Sequence, residues 1–124
     1  MRISNEKHEK CYMRDKCEQY DVCPMVLVQH ILSGKRKILI LWYLSYGTMR
    51  FSDIKKRLPD VTQKMLTQQL RSLEEDRLIC RKVYPVVPPK VEYSLTEIGK
   101  GTIPVLEAMH RFGAIYLENN TQAE

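Results

Sequence analysis

The stretch FSDIKKRLPDVTQKMLTQQLRSLEEDRLICRKVYPVVPPKVEYSLT, residues 51–96, holds a helical period as far as Leu78 and then switches to an alternating one. That switch decides the fold. In "FSDIKKRLP", Ile54 and Leu58 stand at i, i+4 and Pro59 stops the helix. Ser52 is the expected N-cap, with Asp53 set against the helix dipole in the first turn. A second helix follows at once, over "DVTQKMLTQQLRSLEEDRL". Thr62 is its expected N-cap, and Val61 and Leu66 have the spacing of a hydrophobic staple. Two short helices joined by Pro59-Asp60-Val61 alone form the helix-turn-helix pattern.

After Leu78 the residues become β-branched and aromatic. Val91, Tyr93 and Leu95 alternate with Glu92 and Ser94, which predicts strands over 79–84 and 91–95. Pro85, Pro88 and Pro89 exclude ladder pairing between them, so that segment is a loop. A strand pair with basic residues directly after a helix-turn-helix is a wing. The expected fold is mainly α with a small β-wing, a winged helix-turn-helix.

Working outward, Pro24 suits the first position of a helix over "PMVLVQHIL" that ends at Ser33-Gly34. "KRKILILWYLSYG" is the next helix. Ile38, Leu41 and Leu44 fall on one stripe, Leu39, Trp42 and Tyr46 lie beside it, and Gly47 suits a left-handed cap. Thr96 is placed to cap a last helix over "EIGKGTIPVLEAMHRFGAIYLE", which Pro104 is expected to bend. Its apolar residues Ile98, Thr102, Val105, Met109, Phe112 and Tyr116 recur at steps of four and three, broadened by Ile103, Leu106, Ala114 and Leu117. That is more apolar surface than one small core covers, so the terminal helices are expected to form a homodimer interface.

At ~100° per residue, Leu66, Leu70, Leu73 and Arg77 share the inward side of the second helix of the pair. Lys64, Thr67, Gln68, Arg71 and Glu75 lie opposite. Those amide, hydroxyl and basic groups are the ones that read base edges, and the N-terminal half of such a helix is the part that enters a major groove. Lys64, Thr67, Gln68 and Arg71 are therefore the expected base readers. Arg50, Lys55, Lys56, Gln63 and Lys90 are the expected contacts to the nucleic-acid backbone, with Arg57 completing the "KKR" run. Lys90, near the wing tip, is placed to enter a minor groove or touch phosphate. The competing reading of Arg81, Lys82 and Lys90 is edge charge that discourages strand aggregation. The "KRK" run, Lys35 to Lys37, reads as solvated.

Charge supports a polyanion partner. The chain has 124 residues and net charge +5. From Lys35 to Lys90, thirteen Lys/Arg stand against five Asp/Glu, a balance of +8, and the rest is −3. A basic centre between mildly acidic ends is the footprint of a nucleic-acid-binding face.

Chemistry elsewhere is sparse. His8, His30 and His110 are scattered, and there is no glycine-rich phosphate loop, nucleophile elbow or paired-carboxylate signature. No catalytic residue, cofactor or enzyme activity is expected. The polar start, "MRISNEKHEK", has no apolar stretch behind it and is not a signal peptide, and no apolar run is long enough to span a bilayer. A cytoplasmic location is expected, with reduced cysteines. Cys11, Cys17 and Cys23 recur every six residues. Structural zinc prefers pairs two to four apart and four ligands, and neither His8 nor His30 is indicated as the fourth, so no metal is expected. Cys23 differs from the other two. If Pro24 opens a helix, Cys23 is its N-cap, where the dipole and free N–H groups favour a thiolate, and it is the candidate redox site. Cys80, in the first wing strand, reads as a packing residue.

Several stretches also carry a family resemblance. "CPM" at Cys23, "SGKRKILILWYL", the run from Arg50 to Lys100, and "PVLEAM" closely resemble the HxlR-type winged helix-turn-helix regulators, which have a MarR-like winged helix. The resemblance spans about Cys23 to Leu117 and is most specific from Arg50 to Gly99, where the motifs occur in order and almost without gaps. It implies a bacterial or archaeal transcription factor that binds a pseudo-palindromic operator in double-stranded DNA as a homodimer formed through the terminal helices. Many such proteins have a cysteine at the position of Cys23, and in some it senses electrophiles or oxidants. Cys11 and Cys17 fall outside the match. The chain accordingly divides into an arm, 1–22, and a DNA-binding and dimerisation domain, 23–120. A winged-helix protein-interaction module, or a thiol sensor that does not read DNA, stays open as an alternative. The operator, the regulated genes, the sign of regulation and the oxidant or small-molecule effector are not legible.

Overall fold

The computed structural model describes residues 20–123, with the side chains of residues 20–120. His8, Cys11, Cys17 and nearly all of the 1–22 arm lie outside the described residues. The elements run α1 (Pro24–Ile31), α2 (Lys37–Leu44), β1 (Met49–Arg50), α3 (Phe51–Arg57), α4 (Gln63–Glu75), β2 (Ile79–Tyr84), β3 (Lys90–Leu95), α5 (Glu97–Lys100) and α6 (Ile103–Ala123). The sheet is antiparallel in the order β1-β3-β2. No helix among the described residues is long and apolar enough to cross a membrane.

One core joins these elements. Ile40, Leu41 and Leu44 of α2, Ile54 and Leu58 around α3, and Leu66, Leu70 and Leu73 of α4 are all buried, together with Val61, Leu78, Ile79, Tyr93 and Leu106. The i, i+4 pair of α3 and the leucine stripe of α4 therefore face inward as expected. Thr62 caps α4, its hydroxyl accepting the Met65 N–H at 3.1 Å. Val61 and Leu66 are both in the core, as a hydrophobic staple requires. In α2 the expected stripe is only part of the buried face. Ile40 is buried, and Tyr46 beyond the helix end is exposed. All but the first of its eight residues are apolar, so periodicity could not select the inner face.

Three expected boundaries change. Helix α3 starts at Phe51, not after Ser52. Its N-cap is Arg50, whose backbone N–H donates to the Asp53 carboxylate at 3.3 Å, so Asp53 closes the first turn from its third position and Ser52 is not the cap. Strand β1, pairing Met49 with Tyr93 and Arg50 with Glu92, was not expected, because two residues are too short to show a period. The long last helix is two helices. The chain breaks after Lys100, and Pro104 is the second residue of α6. There its missing N–H is one that helix geometry leaves unpaired anyway, so it opens a helix and does not bend one.

Where α4 ends, two features override the helical wheel. Arg77 is not on the inner face. It is exposed, with φ 63°, and forms the left-handed residue of a Schellman motif. Its N–H donates to the Glu74 carbonyl at 2.9 Å, the Leu78 N–H reaches the Leu73 carbonyl at 3.0 Å, and Leu73 and Leu78 are buried together. The same corner holds the last helices. The Thr96 hydroxyl donates to the Arg77 carbonyl at 2.6 Å and accepts the Gly99 N–H at 2.9 Å. Gly99 passes so close that a Cβ would stand 1.9 Å from the Leu78 carbonyl oxygen, so only glycine fits.

A left-handed arginine stores roughly 1 kcal/mol of backbone strain. Arg77→Gly should relieve most of it and stabilise the domain by about 0.5–1 kcal/mol, a rise of a few degrees in melting temperature. Thermal unfolding by circular dichroism measures this, and a lower melting temperature would show that the arginine side chain contributes more than its backbone costs.

Candidate nucleic-acid interface

The turn between α3 and α4 is held at both ends. The Val61 N–H donates to the Leu58 carbonyl at 3.1 Å. Asp60 pairs with Arg36, the N-cap residue of α2, and this hydrogen-bonded pair holds the Asp60 carboxyl below its ordinary value. The "KRK" run is therefore not a solvated cluster. Arg36 ties the turn to α2, Lys37 is buried at the start of that helix, and only Lys35 is fully exposed.

With its leucines buried, α4 turns the opposite face outward. Gln63, Lys64, Gln68 and Arg71 are exposed on it, and Thr67 is half-buried among them. The Thr67 hydroxyl donates to the Gln63 carbonyl at 2.8 Å, which uses its proton within the helix and leaves its methyl and lone pairs outward-capable. The side chains of Lys64, Gln68 and Arg71 make no hydrogen bond or ion pair among the described residues. Geometry thus assembles the four expected readers on one helix face and leaves three of them unengaged.

The expected backbone contacts separate. Lys56 is exposed on α3 and has no ion pair among the described residues. Lys55 is half-buried with its ammonium 3.4 Å from the Pro59 carbonyl, and Arg57 Nη1 donates to the Asp53 carbonyl at 3.3 Å. Arg50 is exposed at the end of β1, opposite Glu92.

The wing charges are partnered across its strands. Lys90 stands near the tip, in the rung next to the loop. It is the first residue of β3, with its ammonium 3.4 Å from the Glu92 carboxylate and 4.9 Å from the centre of the Tyr84 ring. Lys82 lies at the same distance from that ring. Register explains the grouping, because Lys82 pairs with Glu92 and Tyr84 with Lys90 across the two strands. A Tyr84 hydrogen bond, then the charges of Lys90 and Arg50, hold the Glu92 carboxyl below its ordinary value. The tip itself is apolar, with Val87 100% exposed among prolines. Arg81 pairs with Glu74 at 3.3 Å and so fastens the wing to the last turn of α4. Tyr84, Glu92 and Glu74 were absent from the sequence-level site. Cross-strand register was the missing information.

Cys80 is exposed, its sulfur 3.2 Å from the Ser94 hydroxyl, so it does not pack in the core as expected. Strand alternation puts Ile79 inward and its neighbour outward. Cys23 is the N-cap of α1 with Pro24 behind it, as expected, and is buried with 1% of its surface exposed. Among the described residues, no three His, Cys, Asp or Glu side chains are grouped to hold a metal ion.

Comparison with known proteins agrees with this architecture. The profile of the HxlR-like helix-turn-helix family matches residues 31–121. An HTH-type transcriptional regulator of Methanothermobacter thermautotrophicus is 48% identical over 95 residues, 77% of this chain and 72% of that one. The Bacillus subtilis HTH-type transcriptional regulator YkvN is 44% identical over 96 residues, 77% of this chain and 81% of that one. Among solved structures, the redox regulator HypR in its reduced form superposes with a TM-score of 0.75 at 37% identity, covering 80% of this chain and 98% of that one. The reduced form of the transcriptional regulator YodB from B. subtilis superposes with a TM-score of 0.65 at 34% identity, over 73% and 89% of the two chains. With the winged helix-turn-helix built as described and these matches across most of its length, the chain belongs to the HxlR-like helix-turn-helix family.

Proposed function

We propose that the protein is a sequence-specific transcriptional regulator that binds double-stranded DNA as a homodimer. The observation that carries this reading is the outer face of α4. Lys64, Gln68 and Arg71 are exposed and unengaged on the N-terminal two-thirds of the second helix of a helix-turn-helix, beside a wing fastened to that helix. Lys64, Thr67, Gln68 and Arg71 read base edges in the major groove. Arg50, Lys56 and Gln63 hold the DNA backbone, with Lys55 at the turn and Lys90 near the wing tip in support. The wing, 79–95, lies over the adjacent backbone or minor groove. Residues 23–120 act as one DNA-binding and dimerisation domain.

Dimerisation is supported by apolar surface that the described residues do not cover. On α6, Met109 is 43% exposed, Phe112 68% and Tyr116 57%. Helix α1 is mostly apolar yet has no fully buried residue. A two-fold pairing through these helices sets the two recognition helices ~34–36 Å apart, one turn of a pseudo-palindromic operator. A redox response through Cys23 is supported by its place at the N-cap of α1, inside the proposed dimerisation region, and by the likeness to HypR and YodB. Its oxidation would require α1 to open and would shift the spacing of the two recognition helices.

Three measurements test these parts. Arg71→Ala should relax base preference at one operator position by about 1–3 kcal/mol, whereas Lys56→Ala should weaken all sequences alike and lower the salt slope by about one. Binding titrations on operator and scrambled duplexes separate the two, and identical behaviour would undo the assignment of roles. Phe112→Lys places an unpaired charge in the stripe and should weaken dimerisation about a hundredfold or more, read by sedimentation. A variant that remains dimeric at the wild-type concentration would exclude α6 from the interface. Mild oxidant should change operator affinity about fivefold or more in the wild type and leave Cys23→Ser unaffected. Equal responses would remove Cys23 from the mechanism.

A further inference from the structure

We propose that the wing tip is an apolar wedge that enters the minor groove of DNA, unstacks a base step and kinks the duplex. This rests on the DNA-binding reading above and deepens it. The loop between β2 and β3 is Pro85-Val86-Val87-Pro88-Pro89, and every residue of it is exposed. Val86 is 51% exposed and Val87 100%, so the tip adds little to the core. Protein surfaces ordinarily avoid such a run of exposed apolar residues unless it has a task. The loop also has little hydrogen-bonding capacity. Its three prolines carry no N–H. The Val86 N–H donates to the Tyr84 carbonyl at 2.9 Å. Only the Val87 N–H remains as a further backbone donor in the loop. A tip of this kind cannot grip phosphate with several N–H groups, nor read base edges with side-chain hydrogen bonds. It offers a compact apolar surface, held in shape by proline rings that fix φ.

Positive charge stands directly behind this apolar tip. Tyr84 and Lys90 form the rung next to the loop, and Lys82 faces Glu92 two rungs further back. The ammonium groups of Lys82 and Lys90 each lie 4.9 Å from the centre of the Tyr84 ring, which gathers both at this end of the wing. No acidic residue occurs from Lys82 to Val91. An apolar tip backed by cations matches the minor groove, where base edges and sugars form the floor and phosphates form both rims. Apolar side chains, proline among them, are the groups that proteins insert between base steps from that side. A purely apolar groove on a protein would leave the lysines without a counter-charge. Arg81 and Glu74 tie the wing to α4, so the tip travels with the helix that reads the neighbouring major groove. With one wing per protomer, a bound dimer kinks its operator on both flanks. Pyrimidine–purine steps unstack most easily and are preferred there, although no side chain hydrogen-bonds to them.

The test uses a duplex selected from random sequence by the full-length protein. Donor and acceptor dyes at its ends report bending, and 2-aminopurine placed at successive steps in the flanks reports unstacking. Binding of the wild type should raise energy transfer, as a kink of about 20–90° at each wing requires. It should also brighten 2-aminopurine at one step on each flank. Val87→Ser, at a fully exposed position where folding is not at stake, should reduce both signals and weaken binding about fivefold or more. Val86→Ser combined with Val87→Ser should remove the bend. Val87→Leu, which keeps the position apolar, should bend the duplex as the wild type does. Melting temperatures of the variants separate a lost wedge from a lost fold. Tight binding to an unbent duplex, or a Val87→Ser protein that bends DNA as the wild type does, would overturn the wedge and leave the operator-binding reading standing. The second of these results would turn the tip toward a protein partner. Failure to select any duplex would overturn both.

Discussion

Burial of one face of α4 is the constraint on which the rest of the structure depends. Leu66, Leu70 and Leu73 are buried in one core with Ile40, Leu41, Leu44, Ile54 and Leu58. Each such side chain contributes roughly 1.5–3 kcal/mol when fully removed from water. A single apolar stripe also fixes rotation about the helix axis, because turning α4 would expose leucine and bury lysine. Val61 and Leu66 set the angle of entry and the Thr62 cap sets the first turn. The polar face then points outward as a consequence of packing, with no contact needed to hold it there.

The exit from α4 transmits that orientation to the wing. Leu73 and Leu78 close the Schellman turn over the core, at the cost of a left-handed Arg77. Thr96 and Gly99 then lock the far end of β3 to the same corner. Arg81 and Glu74 add an ion pair between wing and helix, although such an exposed pair is worth only about 0–1 kcal/mol, so it orients more than it stabilises. Helix α4 and the wing are thus joined at a single corner.

The basic residues of the central region have two fates. Arg36, Arg81 and Lys90 pair with acids, and Lys37 is buried. These cations have partners or cover within the fold. Lys56, Lys64 and Arg71 are exposed without ion pairs among the described residues, and these carry the proposed DNA contacts. A charge balance of a segment cannot separate the two groups, since pairing depends on residues far apart in the chain, as Arg36 and Asp60 are.

What the sequence determined by itself is local in origin. Helix period, caps, staple, proline stops and strand alternation are properties of a few neighbouring residues, and they were enough for α3, α4, both wing strands and the outward set Lys64, Thr67, Gln68 and Arg71. The Cys23 cap at Pro24 was legible for the same reason. What only the tertiary structure decided is whatever depends on a partner distant in sequence. Strand β1 exists because Met49 and Arg50 find β3, and Lys90 meets Tyr84 and Glu92 because register sets them side by side. The inner face of α2 is chosen by its neighbours, since nearly every face of that helix is apolar. Arg77 leaves the helical wheel because closing the turn over Leu73 and Leu78 outweighs the strain of one left-handed residue. For β1, the Lys90 cluster and α2, a long-range contact overrides a local preference worth about a kcal/mol or less.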